Sequence, residues 1–147
     1  MRDILNNEQV VHLGNLTLSG TTPATSDYVD VRGFNACTIV GVANTITDAG
    51  TASGFTLTLQ ESADTTAAAA STVATTDAVG ATVTLTETDD SADDSVIGGL
   101  GYLGAERYVG ISAVGTTGTA ADISVYAILG KPSIAPTTFV GTSVART

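Results

Sequence analysis

The sequence predicts an all-β fold, a single antiparallel β-sandwich of jelly-roll type with about seven or eight short strands. The chain is rich in threonine and contains 16 glycines, a composition that favours strands and turns over long helices. Apolar and polar residues alternate in several short runs, and turn sequences separate these runs at regular spacing. At 147 residues, 43% of them hydrophobic and none of them tryptophan, the chain suits one domain with a core of Val, Ile, Leu and Ala.

The first strands follow from this alternation. We expect a strand over 10–18, bulged near Gly14, and a half-buried strand in DYVDVRG (27–33). ACTIVGVA (36–43) is apolar on both faces, which is typical of a central strand. The polar stretch from Asn44 to Gly54 is expected to be a loop, and the next strand is expected in GFTLTLQE (54–61), where apolar and threonine residues alternate.

The second half of the chain begins with an ambiguous segment, Ala63 to Gly80. Asp64 could cap a short alanine-rich helix, but the flanking threonines favour a loop with at most a short helix. Further strands are expected in TVTLTE, RYVGISAV and ISVYAILG. The sandwich domain is therefore expected to span 10–130. Residues 1–9 would form an N-terminal arm, and residues 131–147, with two prolines, an extended C-terminal arm.

Charge and hydropathy exclude several classes of function. The chain has 5 basic and 15 acidic residues, a net charge of −10. Nucleic-acid binding requires clustered Lys and Arg that neutralise phosphates, so we expect no direct contact with nucleic acid and no binding to anionic membranes. The N-terminus MRDILNNEQVV lacks the apolar centre of a signal peptide, and no stretch approaches the ~20 apolar residues of a membrane span.

No motif indicates catalysis or a cofactor. The only histidine, His12, lies in a strand-like run without a nucleophile turn, and metal-binding or phosphate-binding motifs are absent from the sequence. The single cysteine, Cys37, is interpreted as a small buried hydrophobic residue. Five carboxylates lie between Glu87 and Asp94. Their spacing does not fit a calcium-binding loop, so a solvated acidic turn is the favoured interpretation and Ca²⁺ binding the alternative.

Three segments carry a resemblance to a known family. LQESAD (59–64), GYLGAERYVGISAV (101–114) and YAILGKPSIAP (126–136) resemble small β-sandwich head proteins of tailed bacteriophages that act as capsid decoration or cement proteins. The resemblance covers about the last ninety residues, and the Thr- and Ala-rich insert and the low lysine count depart from many such sequences. It implies a structural virion protein, made in the host cytoplasm, that binds the outer capsid surface and bridges subunits of the major capsid protein.

If the chain is a decoration protein, we expect its two ends to supply the contacts with the capsid. The candidate contact residues at the ends are Arg2, Asp3, Ile4, Leu5, Phe139, Val140 and Arg146. Arg107 is a separate candidate, for which an ion pair within the domain is at least as plausible a role. Closed symmetry is usual in such assemblies, so the expected homo-oligomer is a trimer at three-fold positions of the capsid.

The alternative function is that of a phage tail or surface adhesin module that recognises host glycans. Aromatic rings stack on sugars, so this function would require a cluster of exposed aromatic side chains. The candidates are Tyr28, Tyr102 and Tyr108.

Overall fold

A computed structural model describes residues 4–65, 69–134 and 140–144, which form two packed β-sheets. The strands are β1 (Glu8–Ser19), β2 (Ala24–Thr25), β3 (Val29–Asp30), β4 (Phe34–Asp48), β5 (Phe55–Ser62), β6 (Ser71–Thr72), β7 (Thr84–Glu87), β8 (Ser95–Tyr102), β9 (Tyr108–Val114), β10 (Ala120–Pro132) and β11 (Val140–Gly141). Two short 3-10 turns, Thr75–Asp77 and Val79–Ala81, lie between β6 and β7. In the described ranges, no helix has the length and apolar character needed to span a membrane.

The strand order is that of a jelly roll. One sheet has the order β11-β1-β10-β4-β8, and in the other β9 and β5 lie at the centre, flanked by β2 and β3 on one side and by β6 and β7 on the other. If β2 and β3 are counted as one interrupted strand, eight strands form two four-stranded sheets, β1-β10-β4-β8 and β2/β3-β9-β5-β7. This order is the double Greek key of the jelly roll, and it confirms the predicted β-sandwich.

The core lies between the two sheets and is built from alternating strand positions. On β10 the inward side chains are Ile123, Val125, Ala127 and Leu129, none more than 1% exposed. They face the inward residues of the other sheet, which include Phe55, Leu57 and Leu59 on β5 and Val109, Ile111 and Ala113 on β9. Because successive side chains of a strand point to opposite faces, the alternation in the sequence identified these core residues correctly.

The bulge expected near Gly14 is also present. The register between β1 and β10 shifts between His12 and Gly14, and Gly14 has a φ of 109°. The register leaves Leu13 without a partner on β10. A side chain is rarely tolerated at the φ of Gly14, so glycine suits the position that follows the extra residue.

The expected loop from Asn44 to Gly54 is wrong in its first half, because β4 continues to Asp48. Asn44 remains in the sheet because its Nδ2 donates to Ser124 Oγ on β10 at 2.8 Å. Beyond it, Asp93 accepts a hydrogen bond from the backbone N–H of Ile46. Tertiary partners therefore extend a strand that its polar composition alone would end.

Other boundaries also differ from the expectations. β1, β4 and β10 have 12, 15 and 13 residues, so the main strands are longer than expected. Within DYVDVRG only Val29–Asp30 is a strand. β10 extends to Pro132, and residues 140–144 pair with the sandwich. The alanine-rich helix considered after Asp64 falls partly on residues outside the described ranges.

Two glycines with similar backbone angles allow a test of how tightly the residue before β5 packs against the end of β7. Gly54 has a φ of 64° and Gly20 a φ of 58°. A Cβ on Gly54 would overlap the carbonyl oxygen of Glu87, whereas nothing lies within 4 Å of a Cβ on Gly20. We expect Gly20→Ala to lower the free energy of unfolding by about 1 kcal/mol and Gly54→Ala by about 3 kcal/mol, measured by urea denaturation. Equal losses would contradict this packing.

Candidate interaction surface

The described residues nearest the two chain ends, 4–8 and 140–144, lie at one end of the sandwich. β11 pairs in parallel with the start of β1, so Val140 lies beside Val10. In the turn before β1, the Ile4 carbonyl accepts from the N–H of Glu8 at 3.0 Å. Ile4, Leu5 and Val140 are 60%, 61% and 70% exposed. The structure therefore brings three of the predicted contact residues to the same end of β1, and their large apolar side chains are open to solvent.

The C-terminal segment joins the two sheets. After β11, Tyr28 N–H donates to the carbonyl of Val144 at 3.0 Å, and Val144 N–H donates back to Tyr28 at 2.8 Å. Ser143 Oγ donates to a carboxylate oxygen of Asp27 at 3.0 Å. Because Tyr28 lies between β2 and β3 of the second sheet, residues 140–144 cross from one sheet to the other. This part of the predicted arm lies against the domain.

The other predicted capsid-contact residues are either outside the described residues or engaged within the domain. Arg2, Asp3, Phe139 and Arg146 lie outside the described residues. Arg107 forms an ion pair within the domain: its Nε and Nη2 donate to the same Asp30 oxygen at 2.9 and 2.7 Å. Its guanidinium also lies 4.7 Å from the centre of the Tyr108 ring. The internal ion pair, which the sequence left open, is the arrangement that the structure shows.

Asp30 is the centre of this charged group. Arg32 also binds it: Nη2 lies 3.1 Å from the oxygen that Arg107 binds, and Nε donates to the other carboxylate oxygen at 3.3 Å. Partial burial raises the pKa of Asp30, but the hydrogen bonds from Arg107 and Arg32 outweigh this effect and hold its pKa below the usual value. Arg32 and Asp30 line a shallow groove beside β11, together with Gln9, Val11, Val29, Phe34, Val140, Gly141 and Thr142.

Charge is distributed unevenly between the two ends of the sandwich. We call the end with Glu8, Phe34, Pro132 and Val140 the terminal end, and the opposite end, with residues 48–54, 87–95 and 114–122, the acidic end. Seven carboxylates lie at the acidic end: Asp48, Glu87, Asp89, Asp90, Asp93, Asp94 and Asp122. In the described ranges every Arg and Lys lies at the terminal end, namely Arg32, Arg107 and Lys131.

Two carboxylates of the acidic run bind the backbone of the sandwich. Asp90 accepts from the N–H of Ala49 at 2.7 Å, and Asp93 accepts from that of Ile46. Across the residues that the structure describes, no three His, Cys, Asp or Glu side chains converge to hold a metal ion. The acidic turn thus has a structural role, joining β4 to the start of β8, which the spacing of its residues did not reveal.

The aromatic residues considered for glycan binding do not form an exposed platform. Tyr28, Tyr102 and Tyr108 are 2%, 5% and 8% exposed. The Tyr102 hydroxyl donates to Glu61 at 2.7 Å and accepts from the N–H of Glu106 at 2.8 Å. Burial and the hydrogen bond to Glu61 raise the pKa of Tyr102. Because these rings are covered, none of the three can stack on a sugar without rearrangement of the domain.

Cys37 and His12 are placed where structural roles are expected. Cys37 is 6% exposed, and burial raises the pKa of its thiol to about 12, so it is protonated and unreactive at neutral pH. His12 lies on the outer face of β1, with its Nε2 3.1 Å from Asn15 Oδ1 and its ring 5.0 Å from that of Tyr126.

Comparisons with known proteins identify no family. No family model matches the sequence, and a search of curated proteins finds no match. Among solved structures, the SPBc2 prophage-derived protein YomS has a similar shape, with a TM-score of 0.46 and 11% sequence identity. The match covers 88% of this chain and 100% of YomS.

The ion pairs of Asp30 predict a pH dependence of stability. Its pKa is lowered in the folded protein, so its ionised form stabilises the fold above the unfolded pKa of about 3.9, and this contribution is lost as the pH falls through the folded value. We expect Asp30→Asn to be less stable than the wild type at pH 6 and to approach it below pH ~3. The measurement is the urea midpoint against pH.

Asp94→Asn is the matched control because it removes the same charge from an exposed residue at the acidic end. We expect it to retain the wild-type difference between pH 6 and pH 3. If Asp30→Asn retains that difference as well, the pairing with Arg107 and Arg32 does not stabilise the fold.

Proposed function

We propose that this chain is a structural virion protein that binds the outer surface of a phage head and stabilises it by bridging subunits of the major capsid protein. The observation that carries the proposal is the convergence of both chain ends with every described basic residue at the terminal end. This end presents exposed apolar side chains and both signs of charge. The acidic end carries seven carboxylates, and such a surface keeps the exterior of a particle soluble.

The resemblance of residues 59–64, 101–114 and 126–136 to phage decoration proteins supports the same function. A cement protein requires a rigid core and a surface that binds capsid subunits, and it needs no catalytic group. The jelly roll supplies the rigid core. The terminal end supplies the binding surface: Ile4 and Leu5 precede β1, and Val140 lies beside β1. These side chains are suited to insertion between capsid subunits, because burial of each would contribute about 1.5–3 kcal/mol.

The net charge of −10 supports a protein partner. Packaged DNA would repel a chain of this charge. On the outer surface of the shell, the chain would be separated from the DNA by the capsid. We therefore propose the major capsid protein as the partner and the outside of the virion as the location.

The first prediction concerns whole particles. Virions that lack this protein should lose DNA or open at lower temperature and in lower salt than complete virions, because the bridges between capsid subunits are missing. Re-addition of the purified chain should restore resistance. The measurement is survival of infectivity and of intact heads against temperature. Equal survival of both kinds of particle would exclude the cement role.

The second prediction concerns the residues of the terminal end. Ile4→Asp and Leu5→Asp should each weaken binding to undecorated heads by at least about tenfold, since the loss of about 1.5–3 kcal/mol of apolar burial corresponds to that factor or more. Sedimentation of protein with heads measures the binding.

Val114→Asp is the control for this experiment. Val114 is 38% exposed and lies at the acidic end, so the same charge is added away from the proposed contact. It should bind as the wild type does. If Val114→Asp prevents binding and the two terminal variants do not, the chain binds through the opposite end.

A further inference from the structure

The outer face of the five-stranded sheet carries a group of apolar side chains. Its outward side chains form rows across the strands, because Val10 lies beside Ile128, Tyr126 beside Val40, and Val42 beside Val96. We call this surface the valine face. Its apolar members are Val10, Val40, Val42, Val79, Val96, Ile128 and Val140. Of these, Val96, Val140 and Val79 are 67%, 70% and 55% exposed.

No charged side chain interrupts the valine face within the described strands. Along β1 and β10 the nearest charged positions are Glu8 at the terminal end and Asp122 at the acidic end. Between them, the outward positions of β4 from Thr38 to Asn44 are apolar or neutral. The chain as a whole has 20 charged residues, 15 of them acidic. Their absence from the part of the face between Glu8 and Asp122 marks it as a surface that other molecules can cover.

The polar groups on this face are already paired with one another. Ser124 Oγ donates to Asn15 Oδ1 at 2.7 Å and accepts from Asn44 Nδ2 at 2.8 Å, and His12 binds the same Asn15 oxygen. Covering a polar group that has no partner costs free energy, whereas a group that is already hydrogen-bonded can be buried at lower cost. An occupant of the valine face therefore needs to supply few polar partners.

The size of the valine face can be estimated from the spacing of its strands. Gly99 and Gly101 on β8 are outward positions without side chains, and Val79 lies over Gly101, where a Cβ would be 2.6 Å from Val79 Cγ2. At a strand spacing of ~4.8 Å and ~3.3 Å per residue, the face covers roughly 500 Å². Two such faces would bury about 1,000 Å² in total, which is about the lower limit for a biological interface.

We propose that the valine face binds the valine face of a second copy of this chain, forming a two-fold symmetric dimer. The area reaches the lower limit for a biological interface, and a two-fold axis brings the same apolar rows of both copies against one another, as in an isologous interface. Each copy carries a charge of −10, so two copies repel one another least where their surfaces are uncharged. This inference is independent of binding to a capsid, and it favours a dimer over the trimer expected from the resemblance.

Electrostatics distinguishes this dimer from one held by ion pairs. Added salt screens the repulsion between the two acidic copies, so dimerisation should tighten as the salt concentration rises. An interface held by ion pairs would weaken under the same conditions. Sedimentation velocity of the full chain at low and high salt, over a hundredfold range of protein concentration, measures both the mass and its dependence on salt.

Two substitutions test the surface itself. Ile128→Asp and Val96→Asp each place a charge on the valine face, and we expect each to weaken dimerisation by at least about tenfold, the effect of 1.4 kcal/mol. Val96 lies on the edge strand β8 and is 67% exposed, so its variant should fold even if the Ile128 variant does not. Circular dichroism and a thermal melt confirm folding.

Val114→Asp is the matched control, because Val114 is 38% exposed and Ile128 is 36% exposed, while Val114 lies on β9 of the other sheet. It should dimerise as the wild type does. A monomer at every concentration, a trimer, or a dimer that persists in folded Val96→Asp would each overturn the proposal. Its failure would leave the binding of heads by Ile4 and Leu5 untouched, so the two proposals are tested separately.

Discussion

The ladder between β4 and β10 is the interaction on which the rest of the structure depends. It joins two of the longest strands in antiparallel register, from Pro132 beside Phe34 to Ala120 beside Asp48. β1 and β8 pair on its two sides, so neither could take its place in the sheet without it. Its inward side chains, such as Ile39 and Ile123, form one wall of the core, and the burial of that wall is the main stabilisation available to a chain with few aromatic residues.

The same ladder explains the properties of the outer surface. Because side chains alternate along a strand, each inward Ile or Leu of β4 and β10 fixes an outward neighbour. Val40 and Tyr126 are held in one row by the pairing that buries Ile39 and Ala127. The outward side chains of β4 and β10 on the valine face are thus positioned by the core packing. A rigid apolar surface can bind without the loss of conformational entropy that a flexible segment would incur.

Much of the core could be predicted from the sequence, because Phe55, Leu57 and Leu59 alternate with threonine and local period alone decides which face they occupy. The position at which β4 ends could not be predicted, because Asn44 and Ile46 are held in the strand by hydrogen bonds to partners 80 and 47 residues away. At the candidate site, the convergence of the chain ends was beyond sequence reasoning because it rests on the parallel pairing of β11 with β1. The burial of Tyr28, a candidate for glycan stacking, also depends on tertiary packing, because its ring lies against Gly110 of β9. The acidic run was visible as a cluster, but its function as a backbone acceptor required the fold.

Ends and faces of a β-sandwich can serve different partners because they are perpendicular surfaces. Strand ends and residues 4–8 form the terminal end, whereas the valine face runs parallel to the strands, and the two surfaces share Val140. Occupation of the valine face therefore leaves Ile4 and Leu5 accessible. A two-fold axis parallel to the strands would place both terminal ends of a dimer on the same side, where two sets of Ile4 and Leu5 could engage one surface together. Two linked contacts bind more tightly than either alone, through the effective concentration of the second. With this geometry a small domain with modest apolar contacts at each terminal end could still hold a capsid shell firmly, and the acidic ends would both face away from it.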